Sequence, residues 1–168
     1  MKKYLLQFFT LIVIVSSGYG QTAKEYFTRG ESKSIELNAK GAIADYTKAI
    51  ELDTEFADAY YSRGLEKRTL KDYFGAIADF NKAINIVPDY SEAFLRRGNV
   101  KSDLKDFRGA IADYTKAIEL DPKSAWAFSF RGLLKIKLGQ KESGCIDLSK
   151  AGELGDKEAY VAIKKYCQ

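Results

Sequence analysis

One segment of thirteen residues occurs twice in the chain, letter for letter: Gly41–Asp53 reads GAIADYTKAIELD, and Gly109–Asp121 repeats it. Segment 75–87 lies halfway between them and keeps the same apolar positions, and a more divergent copy begins at Ser143. The four starts are spaced by 34 residues. A fixed period of this length is typical of solenoids, in which each unit buries its apolar face against its neighbours. The repeat therefore constrains the fold more strongly than any local propensity.

Each unit is predicted to form two helices joined by a short turn. In the second unit we expect helices over 58–70 and 73–87, separated by the polar pair Lys71-Asp72 and closed by Pro88. Apolar residues recur every three or four positions in the later helix, the spacing of a single buried stripe. In the first unit Leu37 comes one place later than the other units would place it, which leaves the conformation of that turn open.

Small and aromatic residues recur with the same period. A glycine in the middle of a helix costs roughly 1 kcal/mol relative to alanine, so its return at one place in every unit predicts that two helices approach closely there. Aromatic residues at this spacing are interpreted as core rather than as a cofactor site. The columns are Gly30, Gly64, Gly98 and Gly132; Ala42, Ala76, Ala110 and Gly144; Tyr26, Tyr60, Phe94 and Phe128; and Tyr46, Phe80, Tyr114 and Leu148.

The unit resembles the tetratricopeptide repeat (TPR) in its period and in the order of its characteristic residues. These are an aromatic residue, Gly, Ala, a second aromatic residue, Ala and Pro. The resemblance implies an all-α, right-handed superhelical solenoid of four helix-turn-helix units, about 23–56, 57–90, 91–124 and 125–155, with a capping helix over 156–166. Two columns depart from the family pattern: Arg29, Arg63, Arg97 and Arg131 replace the usual Leu, and Lys33, Lys67, Lys101 and Lys135 replace the usual Tyr.

An aspartate recurs in each second helix with the same period as these arginines. The arginine column alone would suit an anion-binding stripe. A repeated ion pair between the helices of each unit is the favoured interpretation, because every arginine then has a carboxylate and its stem can cover apolar surface. The predicted partners are Asp45, Asp79, Asp113 and Asp147.

The first twenty residues differ in kind from the rest. Lys2 and Lys3 precede a mostly apolar run, Leu5–Val15, and the small residues Gly18 and Gly20 come just before Gln21. This is the three-part layout of a secretory signal peptide, and we expect residues 1–20 to be removed near Gln21. A membrane anchor is the alternative, but a span needs roughly 20 apolar residues and this run is shorter.

The chain has two cysteines, Cys145 in the last repeat helix and Cys167 at the end of the capping helix. If these helices pair antiparallel about Leu154-Gly155, the residue opposite Cys145 falls near 165, within reach of a disulfide. Such a bond persists after export and would stabilise the cap by on the order of 3 kcal/mol. A redox or metal site is the alternative, but the close cysteine spacing that it needs is absent.

The residue types present argue against several kinds of chemistry. The chain contains no histidine, and therefore no Ser–His pair, no Cys–His pair and no histidine metal ligand. Without Lys2 and Lys3, the 27 basic residues fall to 25 against 23 acidic ones, too even a balance to indicate nucleic-acid binding. We therefore expect no catalysis and no cofactor, with a carboxylate enzyme or carbohydrate binder as the minor alternative.

The resemblance also implies a ligand-binding face, because the first helices of TPR proteins line a concave groove that takes a peptide or helix. Mapped by period, the residues predicted to bind a peptide are Tyr61, Leu65, Arg68, Asn99, Trp126, Leu133 and Ile136. Tryptophan and arginine are typical interface anchors, although Trp126 could instead seal a junction between repeats. One TPR subgroup binds chaperone C-terminal carboxylates through a Lys/Asn/Arg clamp. Only Asn99 fits that clamp cleanly, with Arg96 second, so this ligand is not predicted.

The sequence thus predicts a non-catalytic module that binds an unidentified protein or peptide partner. The chain, especially the segment from Cys145 to Cys167, resembles small exported TPR proteins of Gram-negative bacteria. This resemblance indicates the periplasm first and the extracellular space second. Self-association through stacked ends or a filled groove is the alternative function.

Overall fold

The computed structural model describes residues 21–168. The predicted signal peptide, residues 1–20, lies outside the described residues. Within residues 21–168 there are nine helices and no strands. The helices are α1 (Ala23–Ile35), α2 (Ala39–Leu52), α3 (Ala57–Thr69), α4 (Tyr73–Ile86), α5 (Ser91–Asp103), α6 (Phe107–Leu120), α7 (Ala125–Lys137), α8 (Lys141–Glu153) and α9 (Lys157–Tyr166). The two helices expected in the second unit therefore agree with α3 and α4 within one residue.

The turn between the two helices of a unit has the same backbone in all four units. Its left-handed residue is Leu37, Lys71, Lys105 or Gly139, with φ of 60°, 63°, 64° and 83°. In the first three units the next residue caps the second helix: the side chains of Asn38, Asp72 and Asp106 accept a hydrogen bond from a backbone N–H three residues later. The first unit, whose turn the sequence left open, therefore turns like the others, with Leu37 in the left-handed position.

Close contact between the two helices of each unit depends on the glycine column. A Cβ on Gly64 would lie 2.9 Å from the ring of Phe80, and one on Gly98 would lie 2.7 Å from the ring of Tyr114. Both separations are too short for a real contact, so these positions require the absence of a side chain. The prediction that the glycines mark close helix approach is confirmed. The second-helix column Tyr46, Phe80, Tyr114 and Leu148 is buried at 0–2% exposure.

Helices pack mainly against the helix before and the helix after them in the chain, as in a one-dimensional stack. The helices that begin each unit also touch the next such helix along the stack, in the pairs α1–α3, α3–α5 and α7–α9. The stack therefore curves with these helices on the inside. No helix in the described part of the chain is long and apolar enough to cross a membrane.

Candidate functional site: the concave face

The concave face is formed by α1, α3, α5, α7 and α9, which we call the inner helices. Several pockets lie between two successive inner helices or at their ends, and three of them differ clearly in their linings. The pocket between α1 and α3 has a volume of about 260 Å³, the one between α3 and α5 about 390 Å³, and the one between α7 and α9 about 450 Å³. The face is therefore a row of separate depressions with different side chains, rather than one uniform groove.

The arginine column does not form a free anion-binding stripe. Each arginine donates through Nε to the aspartate of its own unit at 2.8–2.9 Å, as in Arg63 with Asp79. The lysine four residues after the arginine reaches the same carboxylate at 2.6–2.8 Å, as Lys67 does. The ion-pair interpretation is thus confirmed, and it gives the lysine column, which the sequence left unexplained, the same structural task.

These arginines also connect successive units. Arg63 Nη1 donates to Thr47 Oγ1 in the preceding unit at 3.0 Å, and Arg97 Nη1 donates to Asn81 Oδ1 at 2.6 Å. The hydrogen bond from Arg29 holds the pKa of Asp45 down to about 2, against the effect of burial. Most of the chain's buried charge is therefore committed to holding the stack together rather than to binding a ligand.

The larger α7–α9 pocket has large apolar side chains on both walls. Trp126 is 56% exposed and lies with its ring centroid 6.0 Å from that of Phe130. Val161 on α9 is 69% exposed on the opposite wall. The remaining lining residues are Ser129, Leu133, Asp156, Glu158, Ala162, Lys165 and Tyr166. Two of the predicted peptide-binding residues, Trp126 and Leu133, are thus brought together here.

Two other predicted residues, Leu65 and Arg68, line the α3–α5 pocket. Arg68 forms an ion pair across it with Asp103 at 2.8 Å, so its charge is already balanced. Leu65 is partly buried against the core of the second unit. Lys71 lies on the same lining, so this pocket offers a mixed surface with one positive charge beyond the ion pair.

Tyr61, also predicted to bind a peptide, stacks on Tyr90 with a ring-centroid distance of 5.1 Å. Burial raises the pKa of Tyr61, and nearby Arg96 opposes that rise. The Nε of Arg96 is buried and has no hydrogen-bond partner within residues 21–168. Tyr61 therefore contributes one face of its ring to packing between units.

The last two predicted residues, Asn99 and Ile136, are buried or partly buried. Asn99 is 8% exposed, and its Oδ1 accepts a hydrogen bond from the Tyr114 hydroxyl at 2.8 Å. Ile136 packs where Gly144 has no side chain, since a Cβ on Gly144 would lie 2.5 Å from Ile136 Cγ1. Asn99 supports its unit from within, whereas Ile136 also lines a second small pocket between α7 and α9 with Leu133 and Tyr166. The role of both side chains in peptide binding stays a prediction.

Cys145 and Cys167 form a disulfide with a Cα–Cα distance of 5.8 Å. It joins α8 to the residue that ends α9. Cys167 is the eleventh position counted from the start of α9, where the earlier inner helices have the lysine of the ion-pair column. Each of those lysines contacts the helix that follows it, whereas Cys167 is bonded to the helix that precedes it. The disulfide thereby holds one wall of the α7–α9 pocket.

Sequence reasoning missed two contributors to this face. The first is a pair of equivalent positions that the sequence analysis did not single out, Ser62 in the α1–α3 pocket and Phe130 in the α7–α9 pocket. The second is α9, treated as a cap but supplying Val161 and Tyr166 to a pocket. It begins 32 residues after α7 rather than 34, so its residues fall out of the repeat register. Counting from each helix start, instead of by a fixed period, would have found them.

Helix pairs of this length, stacked in sequence with a curved inner face, define an all-α superhelical repeat protein. The family model of the tetratricopeptide repeat matches residues 57–90 and again residues 91–124. The chain is a tetratricopeptide repeat protein. No curated protein matches it in sequence.

Solved structures with the same fold cover most of the chain. The crystal structure of MamA is 25% identical over 82% of this chain and 81% of that one, with a TM-score of 0.77. MamA 41-end from Desulfovibrio magneticus RS-1 is 23% identical over 81% of this chain and 77% of that one, with a TM-score of 0.75. The first TPR domain of Spaghetti (RPAP3), bound to the HSP90 peptide SRMEEVD, is 25% identical over 71% of this chain and 94% of that one, with a TM-score of 0.69.

Proposed function

We propose that this protein is a non-catalytic interaction module that binds a peptide or helix of a partner protein on its concave face. The observation that carries the proposal is the α7–α9 pocket, where Trp126 and Val161 are more than half exposed on facing walls. Large apolar side chains left open to solvent around a pocket are typical of sites that receive an apolar anchor residue. The expected occupant is an aromatic or aliphatic side chain of the partner.

The fold supports the same proposal. A similar TPR domain, that of Spaghetti (RPAP3), holds a peptide. Within residues 21–168, no group of three or more Cys, Asp or Glu side chains is placed to hold a metal ion. The concave face suits recognition of a polypeptide, since an apolar pocket and separately placed charges lie along one face.

The proposal includes export to the cell envelope, most simply the periplasm. The N-terminal pattern of Lys2, Lys3 and the run Leu5–Val15 supports it, as does the Cys145–Cys167 disulfide, a bond that persists in oxidising compartments. Mass spectrometry of the protein isolated from the envelope fraction tests this. A mature chain starting near Gln21 with no free thiol is expected, and an intact Met1 terminus in the cytoplasmic fraction would contradict it.

The binding face is tested by affinity capture with three versions of the protein. Trp126→Ala/Val161→Ala removes the anchor pocket, and Phe74→Ala/Ile146→Ala removes two equally exposed apolar residues from the helices that end each unit. We avoid Tyr61 and Leu65 because they pack against the core of the second unit. A partner held by the wild type and the control, but lost by the pocket variant, supports the proposal. Loss in both variants, or in neither, contradicts it.

Self-association is a second candidate, favoured by exposed apolar residues at the other end of the stack. Ile35 is 83% exposed and Leu37 is 92% exposed. A second copy could place this end in the α7–α9 pocket. Sedimentation velocity of the wild type and of Trp126→Ala/Val161→Ala decides between the candidates, because a dimer that dissociates in the variant favours self-association, and a wild-type monomer excludes it.

A further inference from the structure

The α1–α3 pocket differs from the other two in its charge. Glu31 and Glu66 lie on its walls, and none of the side chains that line it is positive. Neither carboxylate has a lysine or arginine within ion-pair distance in residues 21–168, whereas every aspartate of the buried column has two. Glu66 accepts a hydrogen bond from the neutral Ser34 hydroxyl. The pocket therefore holds two negative charges that the described chain does not balance.

A tyrosine hydroxyl lies at the base of the same pocket. Tyr46 is only 2% exposed, yet it lines the pocket. The hydroxyls of Ser34 and Ser62, which also line the pocket, are its hydrogen-bonding neighbours in residues 21–168. The equivalent Tyr114, in an identical sequence segment, donates to Asn99 at 2.8 Å. Tyr46 therefore presents a neutral polar group at the base of a pocket with two carboxylates, where a ligand group can reach it.

Each unit pairs one residue of its second helix with one residue of its inner helix at this place, and the polarity of the two residues matches. Tyr46 and Tyr114 face Glu31 and Asn99, while Phe80 and Leu148 face Leu65 and Leu133. Polar residues are thus matched to polar residues and apolar to apolar. Only in the first unit does the polar match leave a net charge and a tyrosine hydroxyl that opens into a pocket, which distinguishes this pocket from ordinary packing.

We propose that the α1–α3 pocket binds the side chain of a lysine or arginine in the polypeptide that occupies the concave face. The cationic head lies between the carboxylates of Glu31 and Glu66, and the Tyr46 hydroxyl accepts a hydrogen bond from it. The aliphatic stem lies along Leu65 and the exposed Ile35. A volume of about 260 Å³ suits one long side chain rather than a whole small-molecule ligand.

This inference rests on the proposed function and deepens it. The partner segment has an apolar anchor at the α7–α9 end of the face and a basic residue at the α1–α3 end. Two unlike pockets at opposite ends of one face also define the direction in which the segment lies, because a reversed segment would place its cation in the apolar pocket.

The test selects peptides from a random display library on the purified protein, then measures synthetic representatives by fluorescence anisotropy. Each selected peptide is compared with a copy in which norleucine replaces its lysine or arginine. We expect this replacement to weaken binding to the wild type about tenfold, the worth of one charge-assisted hydrogen bond. The same replacement should have little effect on binding to Glu31→Gln/Glu66→Gln.

Matched variants separate a site from general electrostatics. Glu51→Gln/Glu119→Gln removes the same net charge from α2 and α6, where both residues pair with neighbouring lysines. This variant should keep the full preference for the cation. Tyr46→Phe should lose part of that preference, about threefold, and Tyr114→Phe none. Circular dichroism checks that each variant is folded.

The outcomes distinguish this inference from the function on which it rests. Peptides that need the apolar pocket but show no basic preference, or keep it in Glu31→Gln/Glu66→Gln, overturn the inference and leave the proposed function intact. Failure of the wild type to retain any peptide overturns both. A fixed basic position whose benefit disappears only in the pocket variants establishes the site.

Discussion

Two segments of identical sequence, residues 41–53 and 109–121, lie two units apart in the stack, and their local structures are the same. Each begins inside a helix capped by the residue three before it. Each supplies an aspartate, Asp45 or Asp113, that receives one arginine and one lysine. The two identical segments therefore have the same helix, the same cap and the same ion pairs, because the residues responsible for these features recur with the period.

The surroundings of the two segments differ, and so does their chemistry. The Tyr114 hydroxyl is satisfied by Asn99, while the Tyr46 hydroxyl opens into an acidic pocket. Arg97 is 17% exposed above Asp113, but Arg29 is 41% exposed above Asp45. The tyrosine hydroxyls differ because the inner helices that face them differ. Arg97 is also covered by the preceding unit, where Asn81 accepts its hydrogen bond, whereas Arg29 contacts only Gln21 on that side.

The largest difference should appear when each buried carboxylate is neutralised. Asp113→Asn leaves Arg97 and Lys101 without a counter-charge, and we expect it to lower the free energy of unfolding by about 3 kcal/mol. Asp45→Asn should cost only about 1–2 kcal/mol, because Arg29 remains more accessible to water. Urea denaturation of both variants measures the two losses. Equal losses would mean that exposure of the arginine does not set the strength of the pair.

The Asp45 pair should also respond to acid. Its pKa of about 2 in the folded protein lies below the value of about 3.9 for an unfolded aspartate. A lowered folded pKa stabilises the fold above the unfolded pKa, and that contribution is lost as the pH falls towards 2. The stability difference between the wild type and Asp45→Asn should therefore be constant above about pH 5 and shrink by on the order of 1–2 kcal/mol below pH 4. A difference unchanged down to pH 2 would contradict the lowered pKa.

The fold was accessible from the sequence because it depends on the period. The glycine column that contains Gly64 contacts the column that contains Phe80 in each unit. The packing inferred for one unit therefore applies to the others. The features of the candidate site depend instead on departures from the period. Asn99 can be buried because its side chain accepts a hydrogen bond from the Tyr114 hydroxyl. Val161 lies on the second wall of the apolar pocket because α9 begins two residues earlier than the period predicts. Neither is visible without knowing which side chains meet.

The two tyrosines give a smaller but sharper contrast. Tyr114→Phe leaves the Oδ1 of Asn99 buried without a donor, which should lower the free energy of unfolding by about 1–2 kcal/mol. Tyr46→Phe removes a hydroxyl that lies in an open pocket with only the hydroxyls of Ser34 and Ser62 as hydrogen-bonding neighbours, and its cost should stay within about 0.5 kcal/mol. Thermal or urea unfolding of the two variants decides this. An equal loss at Tyr46 would show that its hydroxyl is already satisfied inside the protein, and would remove one support of the cation site.

The smallest effect concerns the turns that lead into the two identical segments. Leu37 and Lys105 occupy the left-handed region there, with φ of 60° and 64°. This conformation costs a residue with a Cβ about 1–2 kcal/mol, and glycine avoids that cost but gains entropy in the unfolded chain. We therefore expect Leu37→Gly and Lys105→Gly each to raise the free energy of unfolding by about 0.5 kcal/mol.

The fourth unit supplies the reverse experiment, because Gly139 already occupies this position with φ of 83°. A Cβ there would meet nothing within 4 Å, so Gly139→Leu tests the backbone alone. It should lower stability by about as much as Leu37→Gly raises it. If Leu37→Gly instead destabilises the protein while Lys105→Gly does not, the 92% exposed Leu37 side chain makes a contact that outweighs its backbone cost. The self-association surface at that end of the stack would then be the first place to look.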